Sequence, residues 1–366
     1  MSISFASSIN FTEEFPVIGH YTYLNTASSG LLPKQLVKWR QQHDQDFLKE
    51  GSLFRDSHKF HIWEIKEDVA RFFQTSKERV ALVPNFSFGM NMLLEGLPKG
   101  SKVLLIQGDY PSINWPVEFR DFEVASVTLD EHLEEHLSEA FEKYQPHVFL
   151  CSIVQYISGV LLDLEFLKSL KQQYPETLFV GDGTQYFGTA RFNFEASAFD
   201  VVGASTYKWL LAGYGNGFFL VKPSVAKKVF PKTIGFNSAD AVYGKKDDIN
   251  FIGRMEPGHQ DTLNYGTLGQ AIRFLEAIGM ERIETYLSDF SKMAHRRFLE
   301  LGLLEPLIAN RKKHSTIFNI KGDAALFQKL KDSNILTSQR GKGIRVGFHF
   351  YNTSRDLDQM IQILGN

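Results

Sequence analysis

The sequence predicts an α/β protein: a mainly parallel sheet between layers of helices, followed by a smaller α+β domain. Three observations lead there. First, apolar runs at residues 80–84, 102–107, 147–154, 178–182, 201–205 and 217–221 are rich in Val, Leu, Ile and Phe and lack strict alternation, as strands covered on both faces do. Second, amphipathic helical patterns at 88–97, 133–144 and 164–174 fall between several of these runs, and strand–helix–strand order implies parallel pairing. Third, the pattern changes from about Gly266. Residues 268–278, 281–301, 324–332 and 356–364 read as helices, and 315–320 and 343–348 as strands. The expected large domain is 20–255, with 1–19 and 256–366 forming the small domain and an interface segment. The polar stretch 236–260, with a charge run at 245–248, reads as a surface excursion leading to the domain junction.

A chain of 366 residues fits two domains better than one core. Its 43% hydrophobic and 22% charged content is ordinary for a globular protein. A net charge of −2 gives no bulk attraction to nucleic acid or anionic membrane. The single cysteine, Cys151, rules out an intrachain disulfide and a cysteine-rich metal site, and no metal is expected. The first sixteen residues carry acids and no long apolar run, unlike a signal peptide, and no apolar run is long enough to span a membrane. A cytoplasmic location is expected. The 32 phenylalanines read as core.

The most informative segment is 178–221. Asp182 ends one strand, and Ser205, Thr206, Tyr207 and Lys208 end the next. Parallel strands open their carboxyl ends onto one edge, where ligands of such sheets sit. An acid, the amide of Gln185, a hydroxyl cluster and a lysine then converge. A pyridoxal 5′-phosphate site needs this set: an amine for a Schiff base with the aldehyde, a carboxylate to keep the pyridine nitrogen protonated, and donors for a phosphate. Three glycines within 212–217 suit a tight turn into the next strand. Alone, a lysine at a strand end is ordinarily solvated, and Asp182 before Gly183 suits a turn; the combination and its spacing carry the reading.

The segment resembles the class V aminotransferase family of fold-type I pyridoxal-phosphate enzymes, which includes cysteine desulfurases, kynureninases and isopenicillin N epimerase-like proteins. The resemblance lies in Asp182, Gln185, Ser205, Tyr207 and Lys208, followed by glycines. It implies Lys208 as the Schiff-base lysine, Asp182 at the pyridine nitrogen, Gln185 at the ring oxygen, and Ser205 and Tyr207 at the phosphate. Further motifs follow in family order. The segment 23–33 is similar to a motif beside the substrate and places Asn25 and Ser28 there. The segment 85–91 follows a strand and opens a helix, whose free N–H groups suit phosphate; Phe86 and Ser87 are the implied donors, although a serine there also suits an N-cap. Tyr110, in 108–112, offers a flat ring to stack on the cofactor, or is a turn residue before Pro111. Gln155 matches a position near the cofactor ring oxygen and substrate. Arg345 matches the arginine that binds the substrate carboxylate, as a planar fork of donors does well. The segment 254–259 resembles one that crosses a dimer interface to the partner's phosphate, with His259 where many relatives have Thr.

The resemblance implies a fold-type I large domain with a mainly parallel sheet of the seven-stranded type, and an enzyme acting on a small-molecule amino-acid substrate as a homodimer, with sites at the subunit interface. An aminotransferase leads, because the fold's default chemistry needs only the residues present. A kynureninase-like or isopenicillin N epimerase-like lyase or epimerase is the alternative, and a non-catalytic cofactor-binding scaffold is a third reading. A cysteine desulfurase is disfavoured, since Cys151 lies in an apolar strand. No GxGxxG follows the first strand and no GxxxxGK[ST] occurs, which argues against nucleotide binding.

Overall fold

The computed structural model of the chain describes residues 10–239, 242–245 and 247–365. Residues 1–9 and 366 of the expected small domain, and 240, 241 and 246 of the expected surface excursion, lie outside the described residues.

Twelve strands are present among the described residues: β1 (Thr22–Tyr23), β2 (Val80–Val83), β3 (Lys102–Ile106), β4 (Glu123–Val127), β5 (Val148–Ser152), β6 (Leu178–Asp182), β7 (Val201–Ser205), β8 (Gly217–Val221), β9 (Ile317–Lys321), β10 (Ile335–Leu336), β11 (Ser338–Arg340) and β12 (Gly343–Gly347). Seven form one sheet in the order β2-β8-β7-β6-β5-β3-β4. Its pairings are parallel from β4 to β7, while β8 runs antiparallel to both β7 and β2. The reversal at β8 follows from its short connection. Gly213 and Gly215 take positive φ of 68° and 87°, and so tight a return joins antiparallel neighbours. The edge strand β4 lacks an apolar run because Glu123 and Ser126 interrupt it, and it leaves Glu123, Val124 and Ser126 exposed; periodicity alone does not announce it.

The sheet sorts its side chains by the twofold alternation of strands. Ala81, Val83, Val103, Leu105, Leu150 and Val180 face one apolar layer. Leu82, Leu104, Ile106, Phe149, Cys151 and Phe179 face the other. Every residue of β5 to β8 is buried, so the loops at their ends are held on a rigid base.

The C-terminal part has a three-stranded antiparallel sheet, β11-β12-β9, with helices Met280–Glu300, Ala324–Asp332 and Ser354–Leu364. The short parallel pair β1–β10 ties it to the beginning of the chain. Helix Thr262–Ile278 packs on helices Lys34–Glu50 and His58–Phe72, and one apolar cluster runs through both parts. The expected boundary at 255 therefore falls beside elements that share a core.

His349 links the C-terminal part to the lysine-bearing loop. Its Nδ1 accepts from the Phe350 N–H at 2.9 Å, and its Nε2 donates to the Trp209 carbonyl at 3.0 Å. That pattern requires the neutral ring, and burial pushes its pKa from 6.5 down to about 3. Burial also lowers His314, to about 4. An unfolded histidine titrates near 6.5, so below that pH the unfolded chain binds protons that the native chain refuses. Stability is fully present above about pH 6.5 and declines as pH falls toward 4. Melting temperatures measured from pH 7.5 to 4.5 are expected to fall across this range, with a flatter slope in His349→Asn; a slope identical in both proteins would contradict the assignment.

Candidate active site

Asp182 is the last residue of β6 and lies in register with Gly203 of β7. Lys208 follows the end of β7 by three residues. Both side chains are buried, at 5% and 6% exposure. Asp182 Oδ1 accepts from the Thr184 N–H at 2.8 Å. Among the described residues Lys208 Nζ has no hydrogen-bond or ion-pair partner, and it lies 5.6 Å from the ring centre of Tyr110 and 5.5 Å from that of Tyr207. Burial lowers the Lys208 pKa, against the pull of Asp182 and together with repulsion from Arg345 and Arg340. Burial raises Asp182, against its bond from Thr184 and the field of Lys208. Each group thus feels the other's charge in one desolvated space.

Asp109 is a second buried carboxylate in the cluster. It accepts from the Ser152 and Tyr110 N–H groups, each at 2.7 Å, and burial raises its pKa. This clamp fixes Tyr110, the residue before helix Pro111–Glu118, whose ring meets Tyr156 edge-on at 5.3 Å. Gln155 secures the adjacent loop. Its Nε2 donates to the Gly108 carbonyl, and its Oε1 accepts from Ile157 N, Ser158 N and Ser158 Oγ.

Helix Phe86–Glu95 begins beside β7. Its N-cap is Asn85, which accepts from the Phe88 N–H at 2.9 Å, so Ser87 is free of the capping role. Ser87 Oγ lies 2.7 Å from Ser112 Oγ, and the Phe86 N–H donates to Ser205 Oγ at 2.9 Å. Phe86, Ser87 and Ser205 therefore share one corner. Tyr207 stacks on Tyr214 at 4.5 Å, and the Tyr214 hydroxyl bonds Ser29 Oγ at 3.2 Å.

The segment around Gly30 closes over Lys208. The Gly30 N–H donates to the Tyr207 carbonyl at 2.8 Å, and a Cβ at position 30 would lie 1.9 Å from the Lys208 carbonyl oxygen. Gln185 Nε2 donates to the Ala27 carbonyl and its Oε1 accepts from Trp209 Nε1, which ties this segment to the loops after β6 and β7. Arg345, in β12, is 3% exposed. Its guanidinium donates to the Tyr156 carbonyl and to Ser28 Oγ, each at 2.6 Å, and Nε has no partner. The buried Asn25 Oδ1 is likewise unpartnered.

His259 stands apart: it is exposed and stacks on Phe236 at 5.2 Å. Cys151 is fully buried in β5, and burial with the fields of Asp109 and Asp182 holds its thiol protonated. Asp109 and Arg340 carry no assignment from the sequence. Asp109 sits inside the quoted 108–112 motif, but the acid before Tyr110 reads equally well as a turn residue. Arg340 falls in a stretch with no motif at all.

The cluster fits pyridoxal phosphate. It offers an unpaired buried amine with a depressed pKa, which is nucleophilic toward an aldehyde at neutral pH. An aromatic ring lies over it and a buried carboxylate acts on it, a helix N-terminus bonds Ser205 three residues before it, and polar atoms of Asn25 and Arg345 are buried without partners. Such a set on a fold of this topology defines the pyridoxal-phosphate-dependent fold-type I class.

The sequence pattern of the aminotransferase class-V family matches residues 22–360. The chain is 22% identical to an uncharacterized aminotransferase, YcbU, of Bacillus subtilis, over 96% of this chain and 95% of that one. Its fold is similar to that of the apo cysteine desulfurase of Thermococcus onnurineus NA1 (TM-score 0.83, 20% identity, 98% of each chain). It is also similar to a mutant of C-DES with glycine covalently linked to its PLP cofactor (TM-score 0.87, 17% identity, 98% of this chain and 100% of that one). Relatives of comparable identity include a probable cysteine desulfurase of Borreliella burgdorferi and the isopenicillin N epimerase of Amycolatopsis lactamdurans. The chain belongs to the aminotransferase class-V family. It is an enzyme of that family, and its cofactor is pyridoxal 5′-phosphate.

Because Gly30 abuts the Lys208 backbone, Gly30→Ala is expected to displace the lysine loop, at a cost of about 1–3 kcal/mol for overpacking. Thermal melting and cofactor absorbance report this together. A variant with native melting and full cofactor content would show that the segment does not press on the loop.

Proposed function

We propose that the chain is an aminotransferase acting on an amino acid, with Lys208 as both the cofactor's covalent anchor and the acid–base group. The observation that carries this reading is the buried, unpaired Lys208 amine in the fields of Asp182 and Arg345. Bound pyridoxal phosphate supplies an electron sink for charge developing at the substrate Cα. Asp182 would hold a proton on the ring nitrogen, and Tyr110 would cover one ring face. Phe86, Ser87, Ser205 and Tyr207 would donate to the phosphate. Gln185 and Gln155, spent largely on backbone, would orient the segments that touch the ring oxygen and substrate.

Arg345 would take the substrate carboxylate in its planar fork, beside Ser28 and Asn25. That contact orients the substrate so that its Cα–H bond faces Lys208. The Lys208 amine would serve as the acid–base group, removing the substrate Cα proton and holding it for redelivery, and its return away from Cα would give the aminotransferase. Delivery to the opposite face of Cα gives an epimerase, and elimination at Cβ gives a lyase; both use the same residues. A desulfurase needs a mobile thiolate, which the buried, protonated Cys151 does not provide. A non-catalytic scaffold would use Lys208 as an anchor but has no need of the Arg345 fork for a substrate carboxylate. In the proposed homodimer, exposed His259 would complete the partner's phosphate site.

Borohydride is expected to trap cofactor covalently on the native protein and to leave Lys208→Ala unlabelled. In single turnovers with a panel of amino acids, the expected product is the pyridoxamine form together with a 2-oxo acid. Ammonia or alanine release with the original spectrum restored would replace this reading with a lyase, and loss of optical activity alone with an epimerase. A flat response to every amino acid would favour a scaffold. The same preparation is expected to sediment at twice the 41.8 kDa chain mass; an active monomer would exclude the shared site.

A further inference from the structure

Arg340 has no role in the machinery described so far, yet the fold places it beside Arg345. Strand β11 pairs antiparallel with β12 in the register Ser338↔Arg345 and Arg340↔Gly343. Directly paired residues share a face, as do residues two apart on one strand. Arg340 therefore shares the face of Ser338 and Arg345. Ser338 lies 3.4 Å from Ser28, the serine that bonds Arg345. Opposite Arg340 stands a glycine, so no cross-strand side chain covers it.

The charges around Arg340 are unbalanced. Its side chain is exposed and forms no ion pair among the described residues. Burial lowers both Lys208 and Arg345, and the charge of Arg340 pushes each of them further in the same direction. The two acids of the cluster, Asp182 and Asp109, are bonded to backbone amides of Thr184, Ser152 and Tyr110. Among the described residues no carboxylate pairs with either arginine. Two guanidinium groups held near each other without a counter-ion favour a ligand with two negative groups. One carboxylate already accounts for Arg345.

We propose that Arg340 is a specificity residue that receives a second carboxylate, so that the substrate is an amino acid with an acidic side chain. This rests on the reading of the site as an amino-acid site. The aliphatic stem of an arginine on a short hairpin, with Gly341 at a positive φ of 58° in its turn, lets the fork meet side chains of differing length.

The test compares isosteric acid and amide pairs, which differ in charge and scarcely in size. The holoenzyme is titrated with L-glutamate, L-glutamine, L-aspartate and L-asparagine, and dissociation constants are read from the cofactor's absorbance. At least one acid is expected to bind about tenfold more tightly than its amide, the equivalent of about 1.4 kcal/mol. In Arg340→Gln that ratio is expected to collapse toward one, and in Arg340→Lys to recover in part. A ratio near one in the native enzyme would overturn the proposal. So would an unchanged ratio in Arg340→Gln, including the case in which that variant instead loses affinity for pyridoxal phosphate itself and the arginine serves the cofactor phosphate. If no amino acid perturbs the native spectrum, the amino-acid reading fails as well; if amides and acids bind alike, only the assignment of Arg340 fails.

Discussion

A lysine amine and a carboxylate withdrawn from water at the tips of two adjacent parallel strands impose the constraint on which the rest of the site depends. Desolvation alone disfavours both charges, lowering the amine's pKa and raising the carboxylate's. Neither group satisfies the other by direct contact. Asp182 is steadied by the Thr184 N–H at 2.8 Å, and Lys208 keeps a reactive lone pair within reach at neutral pH. The sheet makes the arrangement tolerable. β5 to β8 are buried throughout, so their ends move little, and the cost of two buried ionisable groups is carried by a large apolar core.

Three contacts transmit that rigidity to the loops. Gln185 joins the Ala27 carbonyl to the Trp209 indole. His349 anchors the Trp209 carbonyl from the C-terminal part. Gly30 lets the N-terminal segment lie directly on the Lys208 backbone. The site is thus assembled from the chain's start, its central sheet and its C-terminal strands. Arg345 shows the result: it is borne on β12, yet its partners are Tyr156, from the loop after β5, and Ser28, from the N-terminal segment.

Much of this was legible in the sequence. Buried strands betray themselves as short continuous apolar runs, and the order strand–helix–strand dictates parallel neighbours. Asp182 and Lys208 were readable because each stands at or just past the end of such a run. Tyr110 and Arg345 were readable through family motifs, and both lie close enough to Lys208 to touch it or bias its charge. Other features had no local signal. β4 is an edge strand broken by Glu123 and Ser126, with three of its five residues exposed. The antiparallel turn of β8 depends on glycine dihedrals, which composition suggests but does not orient. The N-cap at Asn85 rather than Ser87 is a difference of two residues that only backbone geometry settles. Arg340 acquires meaning solely from its cross-strand register. The sequence suggests Gln155 and Gln185 as site residues and does not reveal them as the braces of surrounding backbone that their hydrogen bonds make them.

The most direct test of the central claim is the protonation state of the cofactor's pyridine nitrogen, read as a 15N chemical shift with labelled pyridoxal phosphate in the native enzyme and in Asp182→Ala. Close juxtaposition of Asp182 with that nitrogen predicts a protonated ring at neutral pH in the native enzyme and an unprotonated one in the variant. Identical shifts in the two proteins would mean that Asp182 does not face the ring, and the pairing of this acid with Lys208 across one cofactor would be wrong.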